Sequence, residues 1–181
     1  GLADAVIVGN ETLLLNVLTK EQLIEYLKEA RAITPAGIPV TTGEGWKFWM
    51  DNPDLVDQVD FILAHIYSYW DADPRDGGLA YVIESYRSLR ERYPDKRIVI
   101  GETGWPSAGV ARGGAAPGEE NQRQFLQGFA KWASDNSVEY TYFDAFDEEW
   151  KWREGVESGS YTNQMPTDRD FSGRYAGSSW G

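Results

Sequence analysis

The stretch RIVIGETGWPS, residues 97–107, is the clearest indication of the fold of this chain. Its β-branched run is typical of a buried parallel strand, and Glu102 stands where that strand runs out. A second stretch, VIVGNE at residues 6–11, repeats the arrangement and ends on Glu11. Parallel α/β folds carry their active sites at the carboxyl ends of the strands. The two glutamates are therefore predicted to lie on one rim of a parallel sheet.

Strand and helix patterns alternate along most of the chain. The predicted strands cover residues 5–9, 38–42, 61–66, 97–100 and 139–143, and the predicted helices cover about 20–32, 79–93 and 119–135, with a helical turn at 53–59. This alternation predicts a parallel sheet with right-handed crossovers, either an open doubly wound sheet or a (β/α)8 barrel. Neither a GxGxxG nor a P-loop pattern is present, which disfavours nucleotide binding. The Gly/Ala-rich segment 108–118 is predicted to be a flexible rim loop.

Composition bounds the function. The 181 residues predict one catalytic domain, 1–181, with an irregular Gly/Ser/Asn-rich segment at 154–181. A net charge of -12 argues against nucleic acid and anionic membranes as partners. The absence of cysteine excludes disulfides and thiolate metal sites, and a lone histidine excludes histidine-rich ones. We expect a soluble chain with no metal or cofactor.

Aromatic residues are unusually frequent, with 8 Trp, 10 Tyr and 7 Phe. Many are predicted to follow strands, in loops, where flat rings can stack on the apolar faces of sugars. For any single ring, packing in the core is an equal alternative. The group comprises Trp46, Phe48, Trp49, Tyr67, Tyr69, Trp70, Trp105, Trp150 and Trp152.

The paired glutamates suggest glycoside hydrolysis, which needs one protonated and one ionised carboxyl group. Asn10 can donate its amide to a sugar hydroxyl, and Glu44 is a third acid at a strand end. Glu148 and Lys151 lie in a charged cluster on the same predicted rim, although such runs are often solvated surfaces. A salt bridge or helix cap is the alternative for either motif glutamate alone. His65 is predicted to be a hydrogen-bonded core histidine.

Four stretches, VGNE (8–11), IYSY (66–69), GETGWPS (101–107) and FDEEWK (146–151), resemble in order the motifs of glycoside hydrolase family 17, the β-1,3-glucanases and glucanosyltransferases. The resemblance implies a (β/α)8 barrel with Glu11 as acid/base and Glu102 as nucleophile. Tyr67, Glu148 and Lys151 match residues of the family site, and Tyr69 and Trp105 lie within its motifs as candidate substrate contacts. Ser68 replaces the usual proline.

The resemblance also implies that this chain supplies strands 4–8 of the barrel, because a complete barrel takes roughly 250 residues. A second chain, self-association or a longer polypeptide is expected to provide the rest. The expected activity is retaining hydrolysis of a neutral β-glucan, above all β-1,3-glucan, with transglycosylation as a competing outcome. The alternative is a glucan-binding module that does not cleave. A secreted, periplasmic or membrane-associated location outside the cytoplasm is expected.

Overall fold

The computed structural model describes residues 3–143. The chain forms two compact units, which are described separately. The first unit comprises Gly1–Ile66 and Ser85–Gly101, and the second comprises Tyr67–Glu84 and Glu102–Gly181. The predicted irregular segment at 154–181 lies outside the described residues. No helix within residues 3–143 has the length and apolar character needed to cross a membrane.

Strands and helices alternate as predicted. In chain order they are β1 Val6–Asn10, α1 Lys20–Ile33, β2 Val40–Gly45, α2 Trp46–Asp51, α3 Pro53–Val56, β3 Phe61–His65, a 3-10 turn Arg75–Gly78, α4 Leu79–Arg92, β4 Arg97–Thr103, α5 Glu119–Asp135 and β5 Glu139–Tyr142. The sheet order is β1-β2-β3-β4-β5, and the β1–β2 and β2–β3 pairs are parallel. A doubly wound sheet would reverse its strand order at a switch point. The sequential order is instead that of part of a (β/α)8 barrel.

The first unit follows local sequence signals closely. Thr19 caps α1 and forms a capping box with Gln22, which satisfies exposed backbone groups at the helix start. Leu23 and Leu27, one turn apart, are the residues that α1 buries. All five residues of β3 are buried, as expected for a central parallel strand.

Two predictions in the first unit were wrong. The strand β2 continues three residues beyond the predicted Thr42, which places Glu44 inside the strand. The aromatic run after it forms the helix α2 and not a loop. Trp49 of this helix is fully buried, and its indole N–H donates to the Leu63 carbonyl at 3.1 Å. Packing against β3 therefore stabilises a helix that six residues would not sustain alone.

The second unit contains the end of β4, the helix α5 and the strand β5. Phe143 N–H donates to the Thr103 carbonyl at 3.0 Å, which ties the chain after β5 to the end of β4. The helix α5 has the predicted bounds and buries Phe125 and Phe129, whose rings stack with centroids 6.0 Å apart.

The segment 108–118, expected to be a flexible loop, is anchored at several points. Tyr69 donates its hydroxyl to the Val110 carbonyl at 2.6 Å, and the Trp105 indole N–H donates to Ala116 at 3.0 Å. Arg112 and Ala115 exchange backbone hydrogen bonds. The segment was predicted to be flexible because its own residues show no helix or strand periodicity. The side chains that anchor it belong to other parts of the chain, so its composition does not reveal them.

Candidate active site

Glu11 lies directly after β1, at an irregular point of the sheet. The pairing between β1 and β2 shifts register between Ile7 and Asn10, and Glu11 takes a left-handed backbone with φ 51. Glu11 N–H donates to the Gly43 carbonyl at 2.8 Å, which holds this conformation. Such a shift re-aims a side chain, and left-handed non-glycine residues are concentrated at functional sites. The side chain of Glu11 is buried, with the residue only 3% exposed.

His65 at the end of β3 is the partner of Glu11. Its Nδ1 lies 3.0 Å from Glu11 Oε1, and both side chains are buried. The prediction of a buried, hydrogen-bonded histidine is confirmed, and its partner Glu11 was not predicted. The sequence did carry a signal for His65. It stands two residues before the predicted site residue Tyr67, and residues two apart lie on the same side of an extended segment.

Glu44 is the third acid at the strand ends, and it is fully buried. Its Oε1 accepts hydrogen bonds from the Thr12 hydroxyl and the Leu13 N–H, each at 3.0 Å. Its Oε2 is buried without a hydrogen-bond partner among residues 3–143. Burial raises the pKa of Glu44, and the nearby Glu11 charge adds to the rise. The contacts place Glu44 behind the loop that follows Glu11, and direct contact of Glu44 with substrate stays a prediction.

Replacing Glu44 by glutamine is expected to stabilise the fold increasingly as pH rises. Because the folded pKa of Glu44 is raised, its protonated form favours folding, and that contribution is lost as pH rises through the folded pKa. A glutamine keeps the carbonyl acceptor for Thr12 and Leu13 without a charge. Each unit of pKa shift corresponds to about 1.4 kcal/mol. The difference in unfolding free energy between Glu44→Gln and wild type, from urea titrations, should grow as the pH rises above the ordinary titration range of a glutamate, about pH 4.

The exposed Glu29 of α1 supplies the matched control. The Glu29→Gln difference from wild type should stay nearly flat over the same pH range. A Glu44→Gln difference that is also flat would contradict the stated role of burial.

Glu102 lies on β4, within the second unit. Its Oε2 accepts a hydrogen bond from the Tyr67 hydroxyl at 2.7 Å. The strand extends to Thr103, three residues beyond the predicted end at Ile100, so Glu102 sits on strand backbone. A strand fixes a side chain more rigidly than a loop does, which suits a reacting group.

Two of the predicted substrate contacts in the second unit are buried. Trp105 is 2% exposed and Tyr69 is 1% exposed, and their rings pack together with centroids 6.1 Å apart. Both residues anchor the segment 108–118 through the hydrogen bonds described above. Their faces are covered by protein, so we assign them to holding this loop, and stacking of either ring on sugar stays a prediction.

Trp70 is also covered, although only in part. The guanidinium carbon of Arg112 lies 4.1 Å from the centroid of the Trp70 ring. The stacking brings the segment 108–118 onto the chain that follows Tyr67. One face of Trp70 is thus occupied by the protein itself.

Of the remaining predicted site residues, the structure describes only Asn10. Asn10 is exposed beside Glu11, where its amide can reach a ligand. Glu148 and Lys151 lie outside the described residues, as do Trp150 and Trp152. Their roles stay predictions.

Comparison with known proteins identifies the family. The family model of the BtgE/BtgC glycoside hydrolase domain matches residues 1–161. The probable β-glucosidase btgE of Emericella nidulans is 30% identical over 149 residues, which cover 79% of this chain and 27% of that protein. The cell surface mannoprotein MP65 of Candida albicans is 28% identical over 149 residues, covering 80% of this chain and 39% of that protein.

Solved structures agree. The glycoside hydrolase family 17 β-1,3-glucanosyltransferase from Rhizomucor miehei is 26% identical, with a TM-score of 0.73 over 82% of this chain and 56% of that chain. An active-site mutant of that enzyme in complex with laminaritriose gives a TM-score of 0.75 at 26% identity, over 82% of this chain and 55% of that chain. This chain spans only about a quarter to just over half the length of these relatives. It carries a BtgE/BtgC glycoside hydrolase domain and belongs to glycoside hydrolase family 17.

Proposed function

We propose that the protein is a retaining glycoside hydrolase acting on β-1,3-glucan, with Glu11 as acid/base and Glu102 as nucleophile. One observation carries the proposal: within its own unit, each motif glutamate is held by a hydrogen bond to a ring at the end of β3 or just after it. His65 contacts Glu11 in the first unit, and Tyr67 donates to Glu102 in the second. Each carboxyl group is thus fixed within its own unit, as a reacting group must be.

The proposed reaction is a double displacement. Glu11 gives its proton to the leaving glycosidic oxygen while Glu102 attacks the anomeric carbon from the opposite face. Glu11 then takes a proton from the incoming water, which releases the sugar from Glu102. A retaining pair of this kind should have its carboxyl groups about 5–5.5 Å apart. The proposed reaction needs no metal or cofactor.

We also propose that further polypeptide completes the barrel beside β1. This strand is at one end of the sheet order, and Ile7 within it is 54% exposed. Leu14, Leu15 and Val17, which follow Glu11, are exposed as well. An uncovered strand edge with apolar neighbours favours pairing with another strand. A second chain, a second copy of this chain or additional residues of the same polypeptide would each provide one.

The proposed setting is a single catalytic barrel domain outside the cytoplasm, either secreted, periplasmic or membrane-associated. One continuous family match over residues 1–161 supports the single domain. The relative named as a cell surface mannoprotein supports the location. A polymeric glucan substrate is consistent with it.

Incubating the complete protein with laminari-oligosaccharides tests the function. We expect new reducing ends, and proton NMR of the first products should show the β-anomer, because double displacement retains configuration. Longer products at high oligosaccharide concentration would indicate transglycosylation, in which a sugar replaces water. Binding without cleavage would contradict the enzyme and favour a glucan-binding module. An initial α-anomer would contradict the retaining mechanism.

A further inference from the structure

We propose that His65 is a positioning residue for the general acid: it holds Glu11 by Oε1, so that the other carboxyl oxygen delivers the proton. The inference rests on the proposed function, because it assumes that Glu11 protonates the leaving group. It adds a residue whose task is to fix the orientation of that carboxyl group.

The contact itself is the first support. His65 Nδ1 lies 3.0 Å from Glu11 Oε1, within the range of a good hydrogen bond. The two side chains are 2% and 4% exposed, so bulk water offers little competition. An ionised carboxylate can only accept, so Nδ1 carries the proton whenever Glu11 is charged.

The space around the imidazole is the second support. A Cβ built on Gly43 of β2 would come within 2.8 Å of His65 Nε2, and one built on Gly101 of β4 would come within 3.0 Å. Real Cβ atoms essentially never approach closer than 3.0 Å. The strands on both sides of β3 thus have glycine beside this ring, which leaves room for it.

The chemical setting is the third support. The other residues of β3, Phe61–Ala64, are apolar and buried. A buried histidine paired with a carboxyl group is a poor choice for stability, because both groups lose hydration. An apolar residue would pack into the same strand at lower cost. The pair is better explained by what the Glu11 carboxyl group must do than by stability.

The backbone of Glu11 is held separately from its side chain. Glu11 N–H is bonded to the Gly43 carbonyl, and Glu44 binds the two residues that follow. Within residues 3–143, the side chain that bonds to the Glu11 carboxyl group itself is that of His65. Loss of this contact should therefore free the carboxyl torsions without moving the loop.

Two substitutions separate positioning from packing. In His65→Asn the amide nitrogen takes nearly the place of Nδ1, whereas in His65→Gln it takes nearly the place of Nε2. On laminari-oligosaccharides, kcat/KM of His65→Gln should fall about 10²-fold, the scale of a 1 Å misplacement of a reacting group. His65→Asn should stay within about fivefold of wild type, because it keeps the contact that positions the acid.

A substrate with an activated leaving group provides the second readout. Dinitrophenolate leaves without protonation, so kcat/KM on dinitrophenyl β-laminaribioside should be nearly equal in wild type, His65→Asn and His65→Gln. Equal losses on both substrates would overturn the proposal in favour of a merely structural role. The proposal is also overturned if His65→Asn loses as much activity on the oligosaccharide as His65→Gln, or if neither variant loses any. If Glu11→Gln itself shows no dependence on the leaving group, the proposed function fails and not only the role of His65.

The sole histidine also allows a test that needs no activity. In proton–nitrogen NMR of the folded chain, we expect a protected Nδ1–H resonance from His65 that disappears in Glu11→Ala. A folded wild-type chain in which Nδ1 carries no protected proton near neutral pH would overturn the inference. Persistence of the resonance in folded Glu11→Ala would overturn it as well.

Discussion

Replacing Glu102 by glutamine is expected to reduce kcat on laminari-oligosaccharides by about 10⁴-fold or more, the scale on which removal of a covalent nucleophile acts. Glutamine has nearly the same shape and can still accept the Tyr67 hydroxyl bond, so the second unit should remain folded. An amide cannot attack the anomeric carbon to form the glycosyl-enzyme. Initial rates of reducing-end release measure the loss.

The exposed Glu91 of α4 provides the control for that substitution. Glu91→Gln should keep wild-type rates, because it removes a carboxyl group far from any predicted site residue in sequence. Normal cleavage by a folded Glu102→Gln protein would end the assignment of Glu102 as nucleophile. Unchanged binding of laminaritriose by the inactive variant would show that the loss lies in chemistry.

Replacing Glu11 by glutamine is expected to lower kcat/KM by about 10²–10⁴-fold on oligosaccharides, the usual contribution of a general acid. Glutamine preserves an acceptor for His65 Nδ1–H but has no proton to give. With dinitrophenyl β-laminaribioside, kcat/KM should stay close to wild type, since that leaving group needs no protonation. The contrast between the two substrates is the measurement.

Azide gives a further check on Glu11. Without its general base, Glu11→Gln should break down the glycosyl-enzyme slowly, which lowers kcat even on the activated substrate. Azide is a small anionic nucleophile that needs no general base, so it should restore kcat and yield a glycosyl azide. Rates that fall equally on both substrates, with no rescue by azide, would contradict the acid/base role. Glu91→Gln again serves as the control that should show neither effect.

The order of the elements could be predicted from sequence because its signals are local. Thr19 and Gln22 have the spacing of a capping box at the start of α1, and apolar runs indicate the strands. The predicted bounds of α5 were confirmed. The predicted strands β4 and β2 each ended three residues too early at the carboxyl end. Those ends carry polar residues such as Glu44 and Glu102, which interrupt the apolar pattern while the backbone remains in the sheet.

Several aromatic side chains were predicted to lie in loops as candidate sugar contacts, with core packing as an equal alternative for each. Trp49 lies on a buried helix, and Trp105 and Tyr69 anchor a neighbouring segment. A ring that suits sugar stacking also suits a core, because both uses rest on apolar area with one polar edge. Composition alone does not distinguish the two, and burial in the folded chain does.

Local patterns are enough to predict the alternation of strands and helices, the family and the two motif glutamates, because periodicity, caps and motifs are read along the chain. Three features emerge only on folding: His65 contacts Glu11, Tyr67 contacts Glu102, and Glu44 is buried behind its loop. His65 and Glu11 lie on different strands, and glycines on the strands flanking β3 make room for the imidazole. Such contacts depend on strand pairing and register, which bring together side chains that no local pattern in the sequence links.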